Sequence, residues 1–180
     1  MAKKAIIFHG TDGNPNDYWY KWLAEQLTSR GYEVAIPHYP DINQTAPDVF
    51  VPKVLQAHTF DNETVLIGHS AGSPLILSLL ERIDTTIAQA VLVAGFIEPT
   101  GKFGCPILQS SYNWARIKQH AQDFFFVNSD NDPWGCDDKQ GRKLFDHLGG
   151  TLIIRHDGHF GSESHNQPYA TFPLLDRLIP

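Results

Sequence analysis

The chain has 180 residues, 42% hydrophobic and 19% charged, with a formal net charge of -6. This length suits one domain with a sizeable core, since folding at this size buries roughly 70% of the unfolded surface. The negative balance excludes nucleic acid as the main partner, because phosphate recognition needs clustered basic residues and only Lys3 with Lys4 and Arg142 with Lys143 are adjacent.

The first apolar run, residues 5–8, reads as a buried strand and ends in His9-Gly10-Thr11-Asp12-Gly13, a turn of small and polar residues. Two lysines and four apolar residues do not make a secretory leader, and no run approaches the ~20 apolar residues of a membrane span. Cys105 and Cys136 are too few and too far apart for a disulfide framework or a metal cluster. A cytoplasmic address is expected, with no membrane partner.

A helical pattern at 17–30, a strand at 33–36 and a second helix at 47–58 lead to the string VLIGHSAGSP, residues 65–74. The strand predicted at 64–67 is short, apolar and β-branched. The helix predicted at 73–83 carries Leu75, Ile76, Leu79, Leu80 and Ile83 on one face. Gly68-His69-Ser70-Ala71-Gly72 therefore falls at a strand-to-helix turn, the place a G-x-S-x-G nucleophile elbow requires. A turn that drives a serine outward brings neighbouring backbone close, and glycines two residues on either side remove Cβ atoms that would collide.

A strand at 87–93 is followed by the longest connection, residues 95–122, whose Pro99, Gly101, Gly104 and Pro106 precede a helix at 112–120. Long connections in compact domains tend to be functional, and Phe96, Phe103, Tyr112 and Trp114 are candidates to line a substrate pocket. A fifth strand, 124–127, ends in Asn128-Ser129-Asp130-Asn131-Asp132-Pro133. A helix at 137–148 and a strand at 151–154 lead to Arg155-His156-Asp157-Gly158-His159-Phe160-Gly161. A last helix at 169–178 is shortened or kinked by Pro173. Strict βα alternation predicts an α/β fold whose six strands are parallel, joined by right-handed crossovers and buried on both faces.

Ligands of open α/β sheets bind beyond the carboxyl ends of the strands. There the chain offers a small-residue turn, Ser70, Asp130 or Asp132, and His159. A serine hydroxyl needs a neighbouring base to take its proton and a carboxylate to orient that base. The developing oxyanion needs backbone donors, for which Ala71 and Thr11 are the candidates. His9 and His69 read as local hydrogen-bonding residues. A metal reading built on His156, Asp157, His159 and His165 matches no standard zinc spacing, so neither metal nor organic cofactor is expected.

Four stretches, FHGTDGNPNDYWYKWL, GHSAG, NSDNDPW and DGHFG, together make the chain resemble the small serine hydrolases of the α/β-hydrolase superfamily that include human retinoblastoma-binding protein 9 and bacterial YdeN-like proteins. The resemblance spans essentially the whole chain. It implies a cytosolic serine hydrolase of three layers αβα, with a compact six-stranded parallel sheet expected in the order 2-1-3-4-5-6, whose triad carries onto Ser70, the pre-proline Asp132 and His159. The Leu-x-Cys-x-Glu string associated with retinoblastoma protein binding is absent, so no such partner is implied. The expected reaction is cleavage of a small ester, amide or thioester through an acyl-enzyme on Ser70, its partner a small-molecule acyl substrate. The alternatives are an acyltransferase or thioesterase with the same residues, and a non-catalytic binding module.

Overall fold

The computed structural model describes residues 2–100 and 104–180. Its elements alternate as the sequence predicts. They are β1 (Lys4–Phe8), α1 (Tyr20–Ser29), β2 (Glu33–Ala35), α2 (Pro47–Ala57), β3 (Thr64–His69), α3 (Gly72–Leu80), β4 (Ile87–Val93), α4 (Trp114–Gln119), β5 (Ala121–Ser129), α5 (Asp138–Leu148), β6 (Thr151–Arg155) and α6 (Pro173–Leu178). All six strands are parallel, in the order β2-β1-β3-β4-β5-β6.

Given that order, right-handed βαβ crossovers decide which face of the sheet each helix covers. From β1 the chain steps outward to β2, then returns past β1 to β3 and continues in that direction through β6. Reversing the step reverses the face on which the crossover helix lies, so α1 covers one face and α2 to α5 the other. Helix α6 packs against α1, while α2, α3, α4 and α5 touch in succession. The central strands are sealed on both sides: every residue of β3 is buried, as are the four after Lys4 in β1. The edge strands β2 and β6 are partly exposed, which explains their weaker apolar patterns.

Several boundaries move for local reasons. Helix α1 begins at Tyr20 rather than residue 17 because Tyr18 has φ +48, outside helical space, and Asp17 is engaged with the backbone and side chain of Asn14. Helix α5 starts after Asp137, whose carboxylate accepts from the Lys139 and Gln140 N–H groups. The last helix begins at Pro173, which has no N–H to lose at that position. Strand β5 runs from Ala121 to Ser129, longer than its apolar centre suggests, carried by pairing with both β4 and β6.

Candidate active site

The ends of β1, β3, β5 and β6 open into one cleft of about 1740 Å³, whose lining includes Thr11, Ser70, Asp132, Cys136 and His159. Backbone strain collects around it. Among the described residues, the non-glycine positions with positive φ include Asp12, Tyr18, Ser70, Phe160 and Asn166, all in loops on this edge of the sheet.

Ser70 has φ +52 and sits between the last residue of β3 and the first turn of α3. Its N–H donates to the Val93 carbonyl at 2.9 Å, and its own carbonyl accepts from Ser73 N–H at 2.9 Å. The crowding inferred from the motif is present. A Cβ on Gly68 would lie 2.5 Å from the Gly72 backbone, and one on Gly72 would strike the Phe8 carbonyl. Ala71 is fully buried at the start of α3, where the first helical N–H groups have no intrahelical acceptor. Thr11 lines the same cleft from the β1 turn.

His159 Nδ1 lies 2.7 Å from Asp132 Oδ2, and the Asp132 side chain is fully buried. Asp132 Oδ1 accepts the Trp134 N–H at 2.8 Å. Because a carboxylate accepts, neutral His159 carries its proton on Nδ1 and keeps Nε2 as a lone pair. The sequence alone left Asp130 and Asp132 open as the partner of His159, and the structure pairs Asp132 with it and Asp130 with His156. Asp130 Oδ1 lies 2.6 Å from His156 Nδ1, but both side chains are more than half exposed, a surface pair of small energetic consequence.

Of the aromatic wall expected from residues 95–122, one of the three described members lines the cleft. Phe96 lines the cleft, and Phe103 lies outside the described residues. Tyr112 and Trp114 are elsewhere: their rings are 5.0 Å apart, and Trp114 stacks on His147 of α5 at 4.1 Å. Arg116 explains the displacement. It donates to the Glu81 and Ile83 carbonyls and to Asp84, tying α4 to the C-terminal end of α3, whereas Ser70 stands at the N-terminal end. Beside Phe96, the cleft takes aromatic surface from Tyr18, Tyr20 and Trp134, and the Trp134 ring approaches His159 edge-on at 6.5 Å.

The four residues of the metal reading are not gathered around a centre. His156 pairs with Asp130, Asp157 with Arg155, and His165 with Ser162 and Ser164. Among the described residues, Asp132, Cys136 and His159 bring ligand atoms within 4.8 Å of one another. The aspartate and histidine already satisfy each other, however, and burial pushes the Cys136 thiol well up, keeping it protonated.

Sequence reading missed Cys136, Tyr20 and the full roles of the histidines. His9 Nδ1–H donates to the Gly10 carbonyl at 2.8 Å and its Nε2 accepts the Tyr39 N–H at 2.9 Å, bracing the β1 turn. His69 is 2% exposed and contacts residues 49 and 90 positions away. Burial first, and the nearby His159 second, lower its pKa from 6.5 to about 3. The unfolded chain takes up this proton below about pH 6.5 and the folded one only near pH 3, so stability falls as pH falls through that window. His9, lowered chiefly by burial, adds in the same direction. Melting temperature is therefore expected to fall less steeply between pH 6.5 and 4 in His69→Gln than in the wild type; equal slopes by calorimetry would contradict the assignment.

The parallel sheet, the strained serine at its switch and the buried His–Asp pair define an α/β hydrolase with a serine elbow. The chain belongs to the serine hydrolase family, whose model matches residues 5–177. It is 27% identical over 169 residues to the YdeN hydrolase of Bacillus subtilis (strain 168), covering 89% of this chain and 87% of that protein. It is 23% identical over 167 residues to the serine hydrolase RBBP9 of Rattus norvegicus, covering 87% of each. The crystal structure of the B. subtilis ydeN gene product superposes with a TM-score of 0.87 at 23% identity, over 98% of this chain and 96% of that one. No helix among the described residues is long and apolar enough to cross a membrane.

Proposed function

We propose that the protein is a carboxylesterase-like serine hydrolase that cleaves small acyl substrates through an acyl-enzyme on Ser70. One observation carries this reading: the buried pair of His159 and Asp132 shares a cleft with a serine held at φ +52 on a glycine-flanked elbow. In the acylation step Ser70 Oγ attacks the substrate carbonyl carbon and His159 Nε2 takes its proton. The backbone N–H groups of Ala71 and Thr11 receive the oxyanion. Collapse breaks the bond to the leaving group, which receives the proton from His159. Water then repeats the sequence on the acyl-enzyme, releasing the acid. These steps need neither metal nor organic cofactor.

The lining supports a short, hydrophilic substrate. Apart from Phe96, Trp134 and two prolines its side chains are mostly polar, and among the described residues lining the cleft there is no Leu, Ile, Val or Met. Among the described lining residues there is no Lys or Arg either, while Asp12, Asp17 and Glu163 are present, which weighs against anionic acyl carriers and thus against a thioesterase acting on them. A matched series of chromogenic esters, anilides and thioesters tests the reading. Butyrate esters should be turned over faster than dodecanoate esters, and Trp134→Ala or Phe96→Ala should change that ratio by about fivefold or more, since a methylene contact is worth about 1 kcal/mol. Faster turnover of the long chain would contradict it. A cytoplasmic address is supported by a cysteine count of two, too few for the disulfide framework of a small secreted domain, and the net charge of -6 fits a protein without a nucleic-acid partner.

A further inference from the structure

We propose that Tyr20 and His69 are positioning residues that couple the nucleophile elbow to the base through a buried hydrogen-bond relay ending on the backbone of His159. His69 Nε2 lies 2.7 Å from the His159 carbonyl oxygen. A carbonyl only accepts, so Nε2 carries the hydrogen of the imidazole and Nδ1 is a lone pair. That lone pair faces the Tyr20 hydroxyl at 2.6 Å, which must therefore donate. The direction of both bonds is thus set by the carbonyl at one end and by the neutrality of the His69 imidazole. Burial keeps Tyr20 protonated as a donor, against a weaker opposing hydrogen bond from the Gly10 backbone. It keeps His69 neutral as well.

The relay joins the three parts the proposed reaction has to hold in register. Gly10 belongs to the turn that presents Thr11, and an added Cβ there would lie 3.1 Å from Ser70 Cβ. His69 is covalently next to Ser70. His159 carries the base, and the rings of His69 and His159 are centred 5.0 Å apart. Without the bond from Nε2, the loop bearing His159 would still be fastened by Asp132 and by the bond from His159 N–H to Gln167 Oε1 at 2.9 Å. Neither of these reaches the elbow. His69 also stays uncharged beside an imidazole that becomes cationic during each turnover, so it adds no repulsion to that state.

The inference rests on the hydrolase reading for its kinetic consequence but not for its geometry, and the test separates the two. A glutamine side chain places its amide nitrogen near the position of histidine Nε2, whereas asparagine matches only Nδ1. His69→Asn and Tyr20→Phe are expected to lower kcat about 100-fold, the scale of an ångström-sized misplacement, with KM changed less than about threefold. His69→Gln is expected to recover kcat to within about tenfold of the wild type. A purely structural role would instead make the loss follow melting temperature and leave the two His69 variants alike. Retention of kcat within about threefold in both His69→Asn and Tyr20→Phe, or no advantage of Gln over Asn, overturns the proposal. Long-range nitrogen-15 NMR of the full wild-type chain reads the tautomer directly. His69 should show a protonated Nε2 and a bare Nδ1 at neutral pH; the opposite tautomer overturns the relay whether or not the protein turns over esters. Loss of Ser70-dependent turnover with the expected tautomer would instead strike the hydrolase reading alone.

Discussion

Ser70→Ala is expected to lower ester turnover by about 10⁴-fold or more while leaving the fold intact. The substitution removes one oxygen, the atom that would form the covalent bond, and leaves only binding and oxyanion stabilisation to accelerate attack by water. It does not relieve the backbone, because alanine keeps the Cβ that makes φ +52 costly. Ser70→Gly removes that Cβ as well. The two variants should be equally inactive, yet the glycine form should be more stable by about 1 kcal/mol, the surplus of relieved strain over added chain entropy. Esterase kinetics with thermal melts of the three proteins check both statements. Near-normal turnover by Ser70→Ala would place the chemistry elsewhere in the cleft.

The second large effect separates two aspartates two residues apart. Asp132→Asn is expected to lower turnover about 10⁴-fold and Asp130→Asn by no more than about tenfold. The reason is the direction of one hydrogen bond. Asp132 Oδ2 accepts from His159 Nδ1–H at 2.7 Å, and an amide nitrogen placed there would donate instead. His159 would then carry its hydrogen on Nε2, where it could no longer take the proton of Ser70. The Asp130 carboxylate pairs with His156 at the surface, where solvent replaces whatever the substitution removes. Kinetics of the two variants at matched melting temperatures decide the matter, and the reverse ranking would move the orienting role to Asp130.

Much of this architecture is legible before any coordinates. Parallel pairing follows from βα alternation, and crossover handedness then decides the face each helix covers. The elbow is legible because its glycines answer a local steric demand that lies within five residues of sequence. Asp132 stands before Pro133 and 27 residues ahead of His159 (159 − 132), the separation that one helix and one strand create between adjacent strand ends.

What was not legible is non-local. Nothing in the string HSAG says that His69 reaches Tyr20 and the His159 carbonyl, since contacts across 49 and 90 residues leave no periodicity. The aromatic residues 112 and 114 looked like pocket wall because they sit in a long connection. Their placement is decided by Arg116, which anchors the segment to the far end of α3. The wall itself comes partly from residues 161–168, which fold back through paired backbone bonds between Ser162 and Gln167 at 2.8 and 2.9 Å. That stretch is polar and aperiodic, and it reads from sequence as plain loop.

Intact mass after brief exposure to a fluorophosphonate probe tests the central claim most directly, because the probe bonds only to a serine whose proton a neighbouring base can take. The account predicts a single adduct on the wild-type chain, mapped by peptide sequencing to Ser70, and no adduct on Ser70→Ala or His159→Ala. An unlabelled wild-type protein, or an adduct at any other residue, would contradict it.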